Sequence, residues 1–376
     1  MRKVLVVFGT RPEAIKLAPV ILKLRAKSKE LRPIVCVTSQ HRELLSQVLR
    51  LFEITPDYDL NIMTHNQNLF DVTTRSLKGL KEVMEKEMPD LVLVQGDTST
   101  TMAASLSAFY LKVPVAHIEA GLRTYNNYAP FPEEANRHII SIIADYHFAP
   151  TEWARSNLIK EQVPKDRIFV TGNTVVDALI HIMDEMKKSG RQEYYDRMFD
   201  FLDRNKRLIL ITGHRRENFG EGFKNICEAI RELSLRFSDC EFLYPVHLNP
   251  NVQSPVYKIL GNGNLSNVHL TESLAYLPFL YIMSRAYLII TDSGGIQEEA
   301  PSFGKPVLIM RDVTERPEGV VAGVAKIVGA NKDAIISETE RLLCNKDVYS
   351  KMANTQNPYG DGRASEQVVN ILKEIL

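Results

Sequence analysis

Short runs rich in valine, isoleucine and leucine recur along the chain, each followed by residues at helical spacing, and this alternation restricts the fold more than any other feature. A first series lies at 3–8, 33–38, 90–95, 113–119, 146–150 and 168–171, and a second at 207–212, 241–246, 268–270, 286–291 and 306–310. Strands that are apolar on both faces and joined by helices form parallel sheets covered on either side. The two series therefore predict an α/β protein of two Rossmann-like, doubly wound parallel-sheet domains facing a common cleft. Residues 181–204 are charged, helical in pattern and poor in strand formers, so the boundary falls within or just before them. The expected division is 1–175 and 176–360. In the tail, Val368, Val369, Ile371, Leu372, Ile375 and Leu376 give a helix a buried face that needs a partner. A helix at 361–376 crossing back to the first domain supplies one, and would also hinge the cleft.

A chain of 376 residues is long enough for two such domains, at roughly 150 residues each. Lys plus Arg number 46 and Asp plus Glu 46, so no global field draws the protein to nucleic acid or to an anionic membrane. Cys36, Cys227, Cys240 and Cys344 have no CxxC spacing and are expected to be small core residues in a reducing compartment. The apolar run at 4–8 is too short for a signal segment, and the stretch 277–290 carries Arg285 within it. A soluble protein that is not exported is expected.

Residues 291–300, TDSGGIQEEA, follow one of the apolar runs and read as a strand opening through two glycines into a helix that begins with two glutamates. The free N–H groups of a helix's first turn, with Gly294 and Gly295 removing side-chain bulk from beside Ser293, can hold a pyrophosphate without a metal. Glu298 or Glu299 can accept from a ribose diol. A strand-turn-helix corner that needs glycine only for its turn is the alternative. A second anion site stands at the start of the chain. Gly9 ends a strand, Pro12 suits a first helical turn, and Arg11 with Lys16 one turn on can face a diphosphate, unless Arg11 caps an acidic neighbour. No GxGxxG occurs, so a dinucleotide cofactor is not implied.

Asp97, Glu119 and Glu133 come from three segments, QGDTSTT, IEAGLRT and PFPEEANRH, which this topology can bring to one rim. Carboxylates gathered in a cleft can be held in different protonation states, one as acid and another as base. Singly each has a structural alternative: Asp97 as a cap for a helix near Ser99, Glu133 as the opening of a helix after Pro132. In the second domain ITGHRRENFG presents His214, Arg215 and Arg216 after a strand; His214 can donate to a phosphate oxygen or protonate a leaving group. His247, in YPVHLNPN, is as consistent with a turn as with function. Arg316, near Glu315, joins a phosphate clamp or a surface ion pair. Asp57 and Asp59 look like a metal pair but read as a solvated turn. No metal-binding signature is present, and neither metal nor cofactor is expected.

Twelve motifs in order (GTRPEAIK, VTSQHRE, DYDLNIM, GDTSTT, HIEAGLRT, FPEEANRH, FVTGNTVVDAL, TGHRREN, YPVHLNPN, TDSGGIQEEAPS, TERPE and NPYGDG) closely resemble those of the bacterial non-hydrolysing UDP-N-acetylglucosamine 2-epimerases. The resemblance runs nearly end to end. It implies a GT-B-like fold and interconversion of UDP-GlcNAc and UDP-ManNAc by a cytoplasmic homodimer serving surface polysaccharide synthesis. It implies nucleotide contacts at Arg11, Ser293, Gly294, Gly295, Glu299 and Arg316, with uracil near Leu274 and Phe279. It assigns Lys16, Asp97, Glu119, Glu133 and His214 to catalysis or substrate binding. Some bacterial members bind a second UDP-GlcNAc as activator, and Gln40, His41, Arg215 and His247 resemble the positions used there. Departures are few, and one of them, Leu274, falls in a variable segment. Gln95 occupies a position where histidine is frequent, while Glu43 and Asn66 replace the glutamine and arginine that such activated members can carry. A hydrolysing 2-epimerase, a GT-B glycosyltransferase and a silent UDP-sugar sensor are the competing readings; intact Asp97, Glu119, Glu133 and His214 argue against the last.

Overall fold

The computed structural model describes residues 1–376 except 28, 40, 41, 65, 66, 262 and 264, and for 42–44 the backbone alone. The chain divides into two compact units, Met1–Ile182 with Tyr359–Leu376, and Met183–Pro358.

Among the described residues, the first unit holds a seven-stranded parallel sheet. Its strands are β1 (Arg2–Phe8), β2 (Leu31–Val37), β3 (Tyr58–Asp59), β4 (Leu91–Gln95), β5 (Val115–Ile118), β6 (Tyr146–Ala149) and β7 (Ile168–Val170). Their order is β3-β2-β1-β4-β5-β6-β7, so winding reverses between β1 and β4, where Val6 stands opposite Val35 on one side and Leu93 on the other. Central position explains composition: Val4, Leu5, Val6, Val7 and Phe8 are fully buried, as a strand covered by helices on both faces requires. The second unit repeats the plan with six strands: β8 (Arg207–Thr212), β9 (Cys240–Val246), β10 (Val268–Glu272), β11 (Leu288–Thr291), β12 (Val307–Ile309) and β13 (Ala325–Ile327). The order β10-β9-β8-β11-β12-β13 puts its switch point between β8 and β11. The α/β reading of two doubly wound parallel sheets holds.

Several local expectations change. β3 and β13, two and three residues long, carry too little pattern to be read from sequence. Asp57 is not merely solvated: its Oδ2 accepts the Val35 N–H at 2.8 Å and its own N–H donates to Val35 O, fastening the segment before β3 onto β2. Cys36, Cys227 and Cys240 are core residues, but Cys344 is exposed at the end of the helix Lys332–Cys344. The helix expected to begin with two glutamates is the short Gly294–Glu299, which starts at the glycines and passes into a 3-10 turn, Ala300–Phe303, where Pro301 supplies no N–H. The terminal helix, Ala364–Ile375, buries Val368, Val369 and Leu372 and packs on the helix Arg11–Ala26. Its first N–H groups, on Ala364 and Ser365, donate to the Asp177 carboxylate at 3.2 and 2.8 Å. No described helix is long and apolar enough to cross a membrane.

Candidate functional site

In doubly wound sheets ligands bind at the carboxyl ends of strands beside the switch point. In the first unit the loops after β1, β4 and β5 are locked together there. Glu13, 2% exposed, lies in the first turn of the helix Arg11–Ala26. Its Oε2 accepts from the N–H groups of Gly9 and Thr10 at 3.0 and 2.7 Å, and its Oε1 from the hydroxyls of Thr98 and Thr101 at 2.6 and 2.8 Å. The β1 and β4 loops are thus tied through one carboxylate. Arg11, half-buried, opens that helix, and Lys16 on it bonds the Oε1 of Glu119. Glu119 leaves β5 with φ +66°, a left-handed conformation that costs a non-glycine residue about 1–3 kcal/mol and gathers at functional sites. Its other oxygen accepts from the Gln95 amide, and Asn173 Nδ2 lies 3.4 Å from Oε1.

Asp97 is not a helix cap. Thr98 takes that place, accepting the Thr101 N–H at 3.2 Å, which leaves the Asp97 carboxylate to Arg137. The guanidinium reaches Asp97 Oδ2 with Nε at 2.9 Å and Nη2 at 2.8 Å, and Glu134 Oε2 with Nη1 at 2.7 Å. Glu134 also accepts the N–H groups of Thr124 and Tyr125. Burial pushes its carboxyl up, but Arg137 and the two amides outweigh burial and hold it below the usual range. Glu133 begins the helix Glu133–Ile143 and is half-buried, at the end where negative charge is favoured. His117, 1% exposed, bonds Gly96 O through Nε2 at 2.7 Å, and burial lowers its pKa to about 3, so it serves as a neutral donor.

In the second unit the loops after β8, β11 and β12 meet around Asp292, which is fully buried. Its Oδ2 accepts the N–H groups of His214 and Arg215, each at 2.9 Å, and its Oδ1 lies 3.3 Å from His214 Nδ1. The His214 ring stacks on His247 with centroids 5.5 Å apart, and His247 Nδ1 accepts the Asn249 N–H at 3.2 Å. Burial first, then Arg215, His247 and Arg311, lower the His214 pKa against the opposing pull of Asp292. Ser293 caps the Gly294–Glu299 helix in extended conformation. A Cβ on Gly294 would stand 3.0 Å from Arg316 Nη1, so glycine lets the guanidinium close over the turn. On Gly295 a Cβ would meet nothing within 4 Å; neither packing nor a positive φ demands glycine there.

Arg316 is not a surface ion pair: its side chain is 12% exposed and bonds Glu298 at 2.8 Å and Glu315 at 2.7 Å. Glu298 is so engaged and 2% exposed, whereas Glu299 is half-buried. Tyr276 donates to it at 3.2 Å, linking the seat to the helix Tyr276–Arg285 that carries Phe279; Leu274 stands half-buried in the loop before it. Two buried guanidinium nitrogens, Arg215 Nε and Arg311 Nη1, have no hydrogen-bond partner among the described residues, and both flank this seat.

A family model described as UDP-N-acetylglucosamine 2-epimerase matches residues 23–373. An Escherichia coli K12 protein called UDP-N-acetylglucosamine 2-epimerase is 53% identical over 372 residues, 99% of this chain and 98% of its own length. The chain belongs to the UDP-N-acetylglucosamine 2-epimerase family. Structures of the family agree. The Neisseria meningitidis UDP-GlcNAc 2-epimerase bound to UDP-GlcNAc superposes with a TM-score of 0.91 at 54% identity, covering 99% of this chain and 100% of that one. The Staphylococcus aureus MnaA–UDP co-structure gives 0.85 at 47%, covering 100% and 97%. The two-sheet fold is GT-B-like, as the resemblance to the epimerases implied.

Among the residues that the family resemblance singles out, Lys16 and Glu119 are in direct contact, Asp97 stands on the neighbouring strand's loop, and Glu133 opens the helix that carries Arg137. His214, Ser293, Gly294, Gly295, Arg316, Arg215 and His247 gather in the second unit, while Gln40 and His41 lie outside the described residues. Sequence reasoning passed over Glu13, Arg137, Asp292 and Tyr276. Glu13, Arg137 and Asp292 sit inside motifs already noticed and Tyr276 lies between Leu274 and Phe279, and each was legible only as a neighbour of another residue.

Proposed function

We propose that the chain interconverts UDP-N-acetylglucosamine and UDP-N-acetylmannosamine without hydrolysis, by eliminating UDP to a 2-acetamidoglucal and adding it back. The C2 proton of the sugar lies beside an acetal carbon, not a carbonyl, and no side-chain base removes it directly. Departure of UDP makes C1 oxocarbenium-like and acidifies C2; loss of the proton gives the glucal, and return of a proton to the opposite face followed by attack of UDP on C1 completes the inversion. Atoms balance without metal, redox partner or water. Arg11, Lys16, His214, Arg316 and the Ser293–Gly295 turn hold and stabilise the departing diphosphate, with Glu299 on the ribose and Leu274 and Phe279 at the base. Asp97, Glu119 and Glu133 move the protons at C2.

The observation that carries this reading is Glu119: a carboxylate on a left-handed residue, bonded by a lysine and an amide, one strand away from a second carboxylate fixed by an arginine. The names and bound nucleotides of the N. meningitidis and S. aureus relatives support the same substrate. The test is incubation with UDP-GlcNAc in D₂O without metal or acceptor, followed by proton NMR. UDP-ManNAc carrying deuterium at C2 is the expected product; free UDP with ManNAc would mean a hydrolysing enzyme, and an unchanged spectrum would defeat the reading.

A further inference from the structure

We infer that Asp292 is the positioning residue that sets the tautomer and direction of the His214 imidazole. The inference rests on the role proposed for His214 at the departing diphosphate and adds the group that makes that role possible. Asp292 directly follows β11, is fully buried, and divides its two oxygens between two tasks. Oδ2 accepts the main-chain N–H groups of His214 and Arg215 at 2.9 Å each, with Asn218 Nδ2 at 3.3 Å, which fixes the β8 loop. Among the described residues Oδ1 has no hydrogen-bond partner, and it stands 3.3 Å from His214 Nδ1. A buried carboxylate with a spare oxygen beside an imidazole nitrogen favours the proton on that nitrogen. His214 is thereby held with Nδ1–H toward Asp292, and Nε2 is left to the ligand.

The surroundings give the carboxylate a second consequence. The charged and titratable groups facing the ring are Arg215 beside it, His247 stacked on it from the loop after β9, and Arg311 from the end of β12. Tyr244, from β9, lies under Gly213 with its hydroxyl unpartnered among the described residues. Apart from Asp292, every one of these that carries charge opposes an imidazolium. Asp292 alone among them supports the protonated ring that donates from Nε2 to a leaving phosphate oxygen, and a separation of 3.3 Å without ligand can tighten when the diphosphate arrives.

The experiment compares wild type, Asp292→Asn, His214→Asn and the double variant. Asn at 292 keeps an oxygen for the main-chain N–H groups but turns an N–H toward the ring, so the ring must offer a lone pair at Nδ1 and move its proton to Nε2. With ¹⁵N-histidine labelling, at a pH where the ring is neutral, the His214 signals (identified by their loss in His214→Asn) are expected to show Nδ1–H in wild type and Nε2–H in Asp292→Asn. Turnover of UDP-GlcNAc should fall by roughly 10²-fold or more in Asp292→Asn, while the same change in the His214→Asn background should cost nothing further. An unchanged tautomer, or an equal loss in both backgrounds, would overturn the inference, since a purely structural carboxylate lowers activity regardless of what stands at 214. The tautomer is read without turnover, so failure of the epimerase reading and failure of this inference are distinct results.

Discussion

Replacing Arg137 by methionine keeps most of the side-chain volume and removes the cation that joins Asp97 to Glu134. Arg137 is 6% and Glu134 0% exposed, so the ion pair is protected from solvent screening. Breaking one side of a buried pair costs about 3–5 kcal/mol, because the surviving charge stays desolvated. Glu134 keeps the N–H groups of Thr124 and Tyr125 and can escape by taking a proton, which for an ordinary carboxyl costs about 3.5 kcal/mol at pH 7 and about 1 kcal/mol at pH 5. Its share of the penalty is therefore capped and must shrink with acid. In the wild type the Glu134 pKa is depressed, so its stabilisation is present above the unfolded value, at pH 7 and pH 5 alike, and is lost only as pH falls through the folded one; the change between the two pH values comes from proton uptake by Glu134 in the variant. The expected loss is about 3–5 kcal/mol at pH 7 and clearly less at pH 5. Urea unfolding read by hydrogen exchange at Val92 to Val94 of β4 isolates the first unit. A loss below about 1 kcal/mol at pH 7, or one that does not change with pH, would refute the reasoning.

Gly295→Ala should leave the melting temperature unchanged or slightly raised, because its Cβ meets nothing, yet weaken UDP binding by roughly tenfold in calorimetry; unaltered affinity would remove Gly295 from the nucleotide seat. Gln95→Met withdraws an N–H donor from the Glu119 carboxylate and should move the acid limb of kcat/KM upward by about half to one pH unit, with Gln95→His restoring it. A fall in rate with the limb in place would make Gln95 a packing residue only. Glu13→Ala leaves the Gly9 and Thr10 N–H groups without their acceptor and should destabilise the first unit by about 2–6 kcal/mol, against much less for Glu13→Gln; equal losses in equilibrium unfolding would show that the oxygens do not matter.

The fold was legible because its strongest signal, fully apolar strands separated by helical spacing, is a local pattern that burial on both sheet faces imposes. β1 and β11 were visible for that reason. β3 escaped because two residues, one of them charged, pair at a sheet edge where no apolar run is required. At the site, sequence exposed residues whose chemistry is unusual for a strand end, such as Glu119, His214 and the paired glycines. It was silent on the residues that hold them. Arg137 reaches Asp97 across forty positions of sequence, Asp292 reaches His214 across seventy-eight, and Glu13 reaches Thr98 across eighty-five. Such partners are created by the adjacency of β1, β4 and β5, or of β8 and β11, and no local spacing encodes it. Asp97 and Thr98 are adjacent residues that both favour capping positions, and only the fold decides that Thr98 caps the helix and Asp97 faces Arg137.

Cleavage of the bond between C1 and the diphosphate is the step on which the account depends. UDP-GlcNAc carrying ¹⁸O in the oxygen that bridges C1 and the β-phosphorus should be incubated with the protein and followed by phosphorus NMR. The account predicts that the label spreads into the non-bridging β-phosphate positions as epimerisation proceeds, because a UDP freed from C1 turns before it adds back. Epimerisation with the label fixed in the bridge, under conditions where the bound diphosphate has time to rotate, would contradict elimination and leave the proposed roles of Arg316, His214 and the Ser293–Gly295 turn without a reaction to serve.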